Sequence, residues 1–176
     1  MTQPADVIEQ ALSYVRHQAT KSMADLAALM ERTAADCTRC LEGVTEEQAE
    51  FRYDQEWCIK EVLGHMLDSG KAVNEDIARL AEDGSLRPLT GAGETSGWDR
   101  PIQELRQALA DQWSKTVRLT NSVSDEASRK PSLEHPTFGP LNGREWIAFQ
   151  RLHAMDHVQQ IEKVKAHPDY PRADLP

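Results

Sequence analysis

Two histidines, His153 and His157, stand four residues apart in a stretch whose pattern predicts one long helix. Residues at this spacing lie one above the other on a helix face, so both imidazoles can reach a single metal ion. Apolar residues at intervals of three and four predict that the same face is buried. The pair is therefore either a hydrogen-bonded part of the core or two ligands of a metal site.

The helix that carries the pair has a clear predicted start. Asn142 is followed three residues later by Glu145, which is an Asn variant of the capping box. The predicted buried face then contains Trp146, Phe149, His153, His157, Gln160 or Ile161, and Val164. Gln160 continues this face one turn beyond His157, where it could contact substrate or a bound water.

A third histidine, His65, lies on the buried stripe of an earlier predicted helix. That stripe is formed by Ile59, Val62, Leu63, Met66, Val73, Ile77 and Leu80. His65 is about 10 Å from the start of its helix, and the pair is roughly 14 to 20 Å before the end of theirs. If the two helices are antiparallel neighbours, His65 and the pair lie at similar but not equal heights along the bundle axis.

One histidine from one helix and two from another would form a site with three nitrogen ligands. Such a site leaves a position for water or substrate, as reactive metal sites do. A bound divalent ion lowers the pKa of water or of a coordinated thiol and so supplies a nucleophile near neutral pH. Imidazole suits zinc, nickel, copper and iron, and only neutral rings bind, so acid should release the ion.

Two carboxylates accompany His65 on one line of its helix. Glu61 precedes it by four residues and Asp68 follows it by three. Asp68 either orients the imidazole or points to water, which is the commoner fate of a helix carboxylate. Asp156 neighbours the His pair in sequence but is expected to point away from their face.

Other groups that could do chemistry have weaker patterns. Cys37 and Cys40 form Cys-x-x-Cys in mid-helix, whereas a redox pair prefers a helix N-terminus and a structural zinc site needs a second pair. We interpret both as plain thiols.

Two loop residues have open positions. His135, in a proline-rich loop, either reaches the site or faces solvent. Trp98 either covers a pocket or closes the end of the bundle.

The remaining pattern is helical throughout, and no strand is predicted. A stripe from Val7 to Leu41 predicts two helices with a break near Thr20 to Ser22, where either residue could cap the second helix. A third bundle helix should be capped by Asp99, with Pro101 in its first turn. Long connections are expected at 84–100 and 124–141.

Four long amphipathic helices predict an all-α four-helix bundle. We expect a helical extension at 1–21, the bundle at 22–167 and a loose tail at 168–176.

Composition excludes several classes of function. Of the 176 residues, 29 are acidic and 20 basic, and this net charge of -9 disfavours nucleic acid and anionic membranes as partners. No apolar run is long enough to span a bilayer, and the first ten residues do not resemble a signal peptide, so a cytoplasmic location is expected. Three cysteines do not suit a disulfide framework.

Two segments carry a family resemblance. EWCIKEVLGHMLD at 56–68 resembles the Trp-Ser-x-x-Glu-x-x-x-His element of the DinB/YfiT-like superfamily, and 135–161 resembles its His-x-x-x-His element followed by Gln-Ile. The resemblance implies a four-helix bundle, a metal held by His65, His153 and His157, and bacterial relatives that are often dimers. Relatives include thiol S-transferases and isomerases that use bacillithiol, mycothiol or glutathione.

This chain departs from the family at Cys58, where relatives usually have Ser or Thr. Because Cys is a poor helix cap, the sequence does not fix the residue at which that helix begins. Glu61 is then available as a partner of His65 instead of a capping residue. Cys58 itself is either packed or a further ligand or nucleophile.

The sequence supports two functional hypotheses. The first is a metal-dependent enzyme that activates water or a small thiol cosubstrate for hydrolysis or transfer on a small-molecule substrate. It would use zinc or nickel on His65, His153 and His157, with Glu61, Asp68 and Gln160 as helpers, and could act as a homodimer. The second is a non-catalytic helical stress-response or binding protein with structural histidines. A di-iron bundle is disfavoured, because neither His153 nor His157 has Glu three residues before it.

Overall fold

The computed structural model describes residues 5–87, 97–130 and 132–172. Within these ranges the chain forms seven helices and one short hairpin. The elements are α1 (Ala5–Ala19), α2 (Met23–Arg39), α3 (Glu46–Glu50), α4 (Ile59–Glu82), α5 (Ile102–Ser122), α6 (Asp125–Arg129), β1 (Ser132–His135), β2 (Gly139–Asn142) and α7 (Gly143–Lys165).

Four helices form the bundle, as the sequence predicts. α2 and α4 each pack against both α5 and α7, which places α2 diagonal to α4 and α5 diagonal to α7. Helices that follow one another in the chain therefore do not always pack together, and α3 carries the chain from α2 to α4. α1 packs on the outer side of α7. No helix in the described ranges has both the length and the apolar character needed to span a bilayer.

The predicted break between α1 and α2 is present. Ser22 caps α2, because its side chain accepts a hydrogen bond from the Asp25 backbone N–H at 3.1 Å. The predicted Asn142 and Glu145 box at the start of α7 is also present, with both reciprocal hydrogen bonds formed. These caps depend on residues three positions apart, which is why the sequence reveals them.

The predicted cap of α5 by Asp99 is wrong. α5 begins at Ile102, and Pro101 occupies the cap position without a side-chain hydrogen bond. Instead, the Glu46 carboxylate of α3 accepts the Ile102 N–H at 2.8 Å, and it also pairs with buried Lys60 at 2.7 Å. A partner 56 residues away in the chain replaces the local cap, so the sequence pattern alone does not reveal it.

The expectation that no strand forms is also wrong. β1 and β2 pair antiparallel, with Leu133 opposite Leu141 and His135 opposite Gly139, whose φ of 71° suits glycine. Each strand has only four residues, and β2 contains Pro140, so neither shows the alternation that predicts a strand.

The segment after α7 contacts the rest of the chain at Tyr170 and Pro171, and the loose tail expected at 168–176 stays a prediction. The Tyr170 ring packs edge-on to Phe51 at 5.6 Å, and the Gln48 side chain donates to the Pro171 carbonyl at 2.7 Å. Residues 88–96 and 173–176 lie outside the described residues, and so does Pro4. The domain boundaries inferred from the sequence remain predictions.

α7 is buried on several sides, and this corrects its predicted face. Trp146, Phe149 and His153 are only half-buried. The buried apolar positions are Ile147, Ala148 and Ala154, together with Ile161 and Val164 of the predicted face. Because α1, α2 and α4 all pack on α7, its burial does not follow a single stripe. The histidine pair therefore lies at a seam between helices and not in the centre of the core.

Arg144 fixes the start of α7. Its side chain is 1% exposed, and its guanidinium pairs with Asp125 of α6 and donates to the Lys21 carbonyl between α1 and α2. One buried cation thus joins α6 and the turn between α1 and α2 to the helix that carries His153 and His157.

We predict that Arg144→Ala lowers the free energy of unfolding by about 2–3 kcal/mol, because it removes a buried side chain and its hydrogen bonds to Asp125 and to the Lys21 carbonyl. Chemical denaturation measures this change. Arg118→Ala, at an exposed position on α5, should change stability by less than about 0.5 kcal/mol. Equal effects of the two substitutions would contradict the role assigned to Arg144.

Candidate metal centre

Three imidazole rings meet where α4 packs on α7. Nε2 of His153 is 3.2 Å from Nε2 of His65 and 3.1 Å from Nε2 of His157. One ligand atom from each ring lies within 4.8 Å of the others. His157 is buried, and His65 and His153 are half-buried. Within the described residues, this is the group of side chains with the composition and spacing of a metal site.

The separations agree with shared coordination of one ion. Two nitrogens bound to a tetrahedral zinc are about 3.3 Å apart, given bond lengths of about 2.0–2.1 Å. The two short distances are close to this value. Three protein nitrogens also leave a fourth position for a small ligand. The triad can therefore hold a divalent metal ion.

Gln160 orients the buried member of the triad. Its side-chain oxygen lies 3.0 Å from Nδ1 of His157. An amide oxygen can only accept, so the proton of the neutral His157 ring is on Nδ1 and the lone pair of Nε2 faces His153. The contact of Gln160 with substrate or water that the sequence suggests stays a prediction. The observed contact is with the His157 imidazole, and such support is a common feature of metal-binding histidines.

The surroundings of the triad favour neutral rings. Burial, together with the neighbouring His157 and His65, lowers the pKa of His153 to about 3. Burial and His157 also lower the pKa of His65, while the charge of Asp68 acts in the opposite direction. Neutral imidazole is the form that binds metal, so the site is prepared for an ion at neutral pH.

The two carboxylates predicted beside His65 have different positions. Glu61 accepts the Cys58 backbone N–H at 3.0 Å and pairs with Arg52 at 2.6 Å. Its contacts therefore hold the start of α4 and do not reach the imidazole. Asp68 is exposed and acts on His65 through its charge.

Aromatic rings enclose the triad on two sides. Trp57 lies with its ring centroid 5.3 Å from that of His65, and Phe149 lies 6.0 Å from His153. Trp57 was not among the residues inferred from the sequence, although it stands in the motif that carries His65. Trp98 lies over the Arg52 guanidinium at 5.6 Å, which places it at the start of α4.

The three cysteines are buried and unpaired. Burial raises the pKa of Cys37 to about 12 and of Cys40 to about 11, so both remain protonated thiols. Burial also raises the pKa of Cys58, which occupies the cap position of α4. A protonated thiol is a poor nucleophile, so these environments suit packing.

A cavity of about 460 Å³ adjoins the triad at His153. It lies between α1, the hairpin and α7. Its lining residues are Val7, Ile8, Ala11, His135, Thr137, Phe138, Phe149, Leu152, His153 and Asp156. His135 is not one of the three grouped histidines, but it lines this cavity together with His153. Asp156 also lines the cavity, on the side of α7 away from His157.

We predict that metal-stripped protein loses stability as the pH falls from about 6.5, the ordinary pKa of histidine. The unfolded chain takes up a proton on His153 near that pH, whereas the folded protein does not until about pH 3. The expected loss is at most about 1.4 kcal/mol per pH unit for such a histidine. Denaturation between pH 7 and 5 measures it.

His153→Gln should show a smaller loss over the same range, and His17→Gln, at an exposed position, should behave as wild type. An unchanged pH slope in His153→Gln would show that this ring does not stay neutral in the folded protein.

Comparison with known proteins supports the same architecture. YuaE of Bacillus subtilis (strain 168), an uncharacterized protein, is 23% identical over 142 residues, which cover 71% of this chain and 88% of YuaE. The solved structure of YfiT from Bacillus subtilis is similar with a TM-score of 0.62 at 15% identity, covering 81% of this chain and 85% of YfiT. It is described as a probable metal-dependent hydrolase with an unusual four-helix bundle topology.

An uncharacterized protein from Clostridium difficile 630 is similar with a TM-score of 0.61 at 15% identity, covering 82% of this chain and 96% of that protein. A family model of the DinB superfamily matches residues 29–161, which include α4, most of α7 and all three histidines. The chain belongs to the DinB superfamily.

Proposed function

We propose that His65, His153 and His157 bind a divalent metal ion, with zinc or nickel expected, and that the protein is a metal-dependent enzyme acting on a small molecule. The observation that carries this proposal is the meeting of three imidazoles, in which Nε2 of His153 lies 3.1 and 3.2 Å from Nε2 of His157 and His65 and one ligand atom of each ring lies within 4.8 Å of the others. Membership of the DinB superfamily and the description of YfiT as a probable metal-dependent hydrolase support it.

The ion would supply Lewis acidity and would lower the pKa of a coordinated water or thiol. Hydrolysis and thiol transfer both use this property. The chain supplies neutral nitrogen ligands, the Gln160 contact that orients His157, and aromatic rings that limit access of water to the triad. The adjoining cavity provides space for a small substrate beside His153.

Protein purified without a histidine tag should contain about one divalent ion per chain. Elemental analysis should find no bound ion in the His65→Ala, His153→Ala, His157→Ala triple variant. His17→Ala is the control, because His17 is exposed and is not one of the three grouped histidines. Equal trace metal in wild type and the triple variant, with helical circular dichroism retained, would remove the proposed site.

Gln160→Leu should weaken metal binding by about 10- to 100-fold, because loss of the acceptor releases the orientation of His157. Competition with a chelator measures the affinity. Gln159→Leu is the matched control, since Gln159 is its exposed neighbour on α7. A Gln160→Leu affinity equal to that of the control would show that the amide contact does not support the site.

Activity can be screened with neutral esters for hydrolysis and with reactive aryl halides plus a low-molecular-weight thiol for transfer. Turnover should disappear when the metal is removed and return when zinc or nickel is added. The same loss is expected in His153→Ala. If metal-loaded protein shows neither reaction while it still binds metal, the enzymatic part of the proposal fails and the metal site remains.

A further inference from the structure

The cavity beside His153 has one polar group whose hydrogen-bonding state is fixed by the fold. Nδ1 of His135 accepts the backbone N–H of Thr137 at 3.1 Å and that of Phe138 at 3.2 Å. A ring nitrogen that accepts these bonds cannot carry a proton, so the proton of the neutral ring is on Nε2. Burial lowers the pKa of His135, which keeps the ring neutral at pH 7.

This Nε2–H group is available to a ligand. No hydrogen-bond partner for Nε2 is seen among the described residues. Nε2 is also absent from the set of unpartnered side-chain atoms that are fully buried, so it is accessible to a ligand. His135 forms part of the cavity wall, so a molecule in the cavity can accept this bond. An unused donor at the wall of an apolar cavity is the kind of group that fixes the orientation of a ligand.

His135 is also close to the triad. Its ring lies 4.7 Å from the ring of Phe149, which in turn lies 6.0 Å from the ring of His153. All three residues line the same cavity. One small molecule can therefore contact His135 at one end and approach His153 at the other.

The charge of the wall selects against anions. None of the described residues that line the cavity is lysine or arginine, and Asp156 contributes a carboxylate. The rest of the wall is mostly aliphatic and aromatic, contributed by α1 (through Val7 and Ile8), the hairpin and α7. A volume of about 460 Å³ is within the usual range of small-molecule pockets.

We propose that this cavity binds neutral, largely apolar carbonyl compounds and that His135 is the positioning residue, donating from Nε2 to the carbonyl oxygen. The proposal deepens and rests on the proposed function, since it identifies the substrate class of the same site. His135 does not contact the metal in this proposal. Binding of the carbonyl compound can therefore be measured without any turnover.

Binding of acetophenone to the full-length protein, as purified and after metal removal, tests the proposal by NMR titration. α-Methylstyrene is the matched probe, because it replaces C=O by C=CH₂ with little change of shape. In wild type the donor should favour acetophenone, and loss of the donor should reduce the acetophenone to α-methylstyrene affinity ratio by about three- to tenfold. Benzoate should bind more weakly than acetophenone.

Two substitutions separate the donor from the loop contact. His135→Asn keeps an acceptor near the position of Nδ1 but has no group at Nε2, so it should lose the preference for acetophenone. His135→Gln places its amide near Nε2 and should restore part of that preference. Ala11→Phe, which fills the cavity from α1, should abolish binding of both probes and leave metal content unchanged.

The proposal is overturned if wild type binds neither probe, if His135→Asn keeps the wild-type ratio, if benzoate binds more tightly, or if Ala11→Phe binds as wild type. The probe titrations that decide these outcomes are those on the metal-free protein, because a cation on His153 would attract benzoate, so none of the outcomes depends on the metal. A failure of the metal-content experiment would therefore be distinguishable from a failure of the pocket.

Discussion

The packing of α4 on α7 is the contact on which the site depends. It sets the 3.2 Å separation between Nε2 of His65 on α4 and Nε2 of His153 on α7, which is too short to tolerate a shift of either helix by one turn. The bundle supplies this accuracy through its closed ring, in which α2 and α5 complete the contacts of α4 and α7. Rigid helices thus position the imidazole rings more accurately than loops would.

Buried charges outside the seam hold the ends of these helices. Arg144 joins the start of α7 to α6 and to the turn before α2, and Lys60 joins the start of α4 to α3. Each is nearly inaccessible to solvent yet paired, which is the condition under which a buried charge is tolerated. Glu46 extends this network to the first N–H of α5.

Local signals explain how much could be predicted from the sequence. The four bundle helices follow from apolar spacing, and the caps at Ser22 and Asn142 follow from partners three residues away. Spacing and the family motif group the three histidines, and in the structure one ligand atom of each ring lies within 4.8 Å of the others.

Long-range contacts explain what could not be predicted. The cap of α5 comes from Glu46, the hairpin strands are too short to show a period, and α7 has no single buried face. Glu61 illustrates the limit most directly. Its position on the helix suggested a partner for His65, but its carboxylate is committed to Cys58 and Arg52. Position on a face does not decide which neighbour a side chain chooses.

The location of α1 separates the wall of the pocket from the ligands. The DinB family match begins at residue 29, whereas α1 ends at Ala19 and still forms one side of the cavity beside His153. The three histidines lie on α4 and α7 and the opposite wall lies on α1, so a substitution at Val7, Ile8 or Ala11 reshapes the cavity without replacing an imidazole.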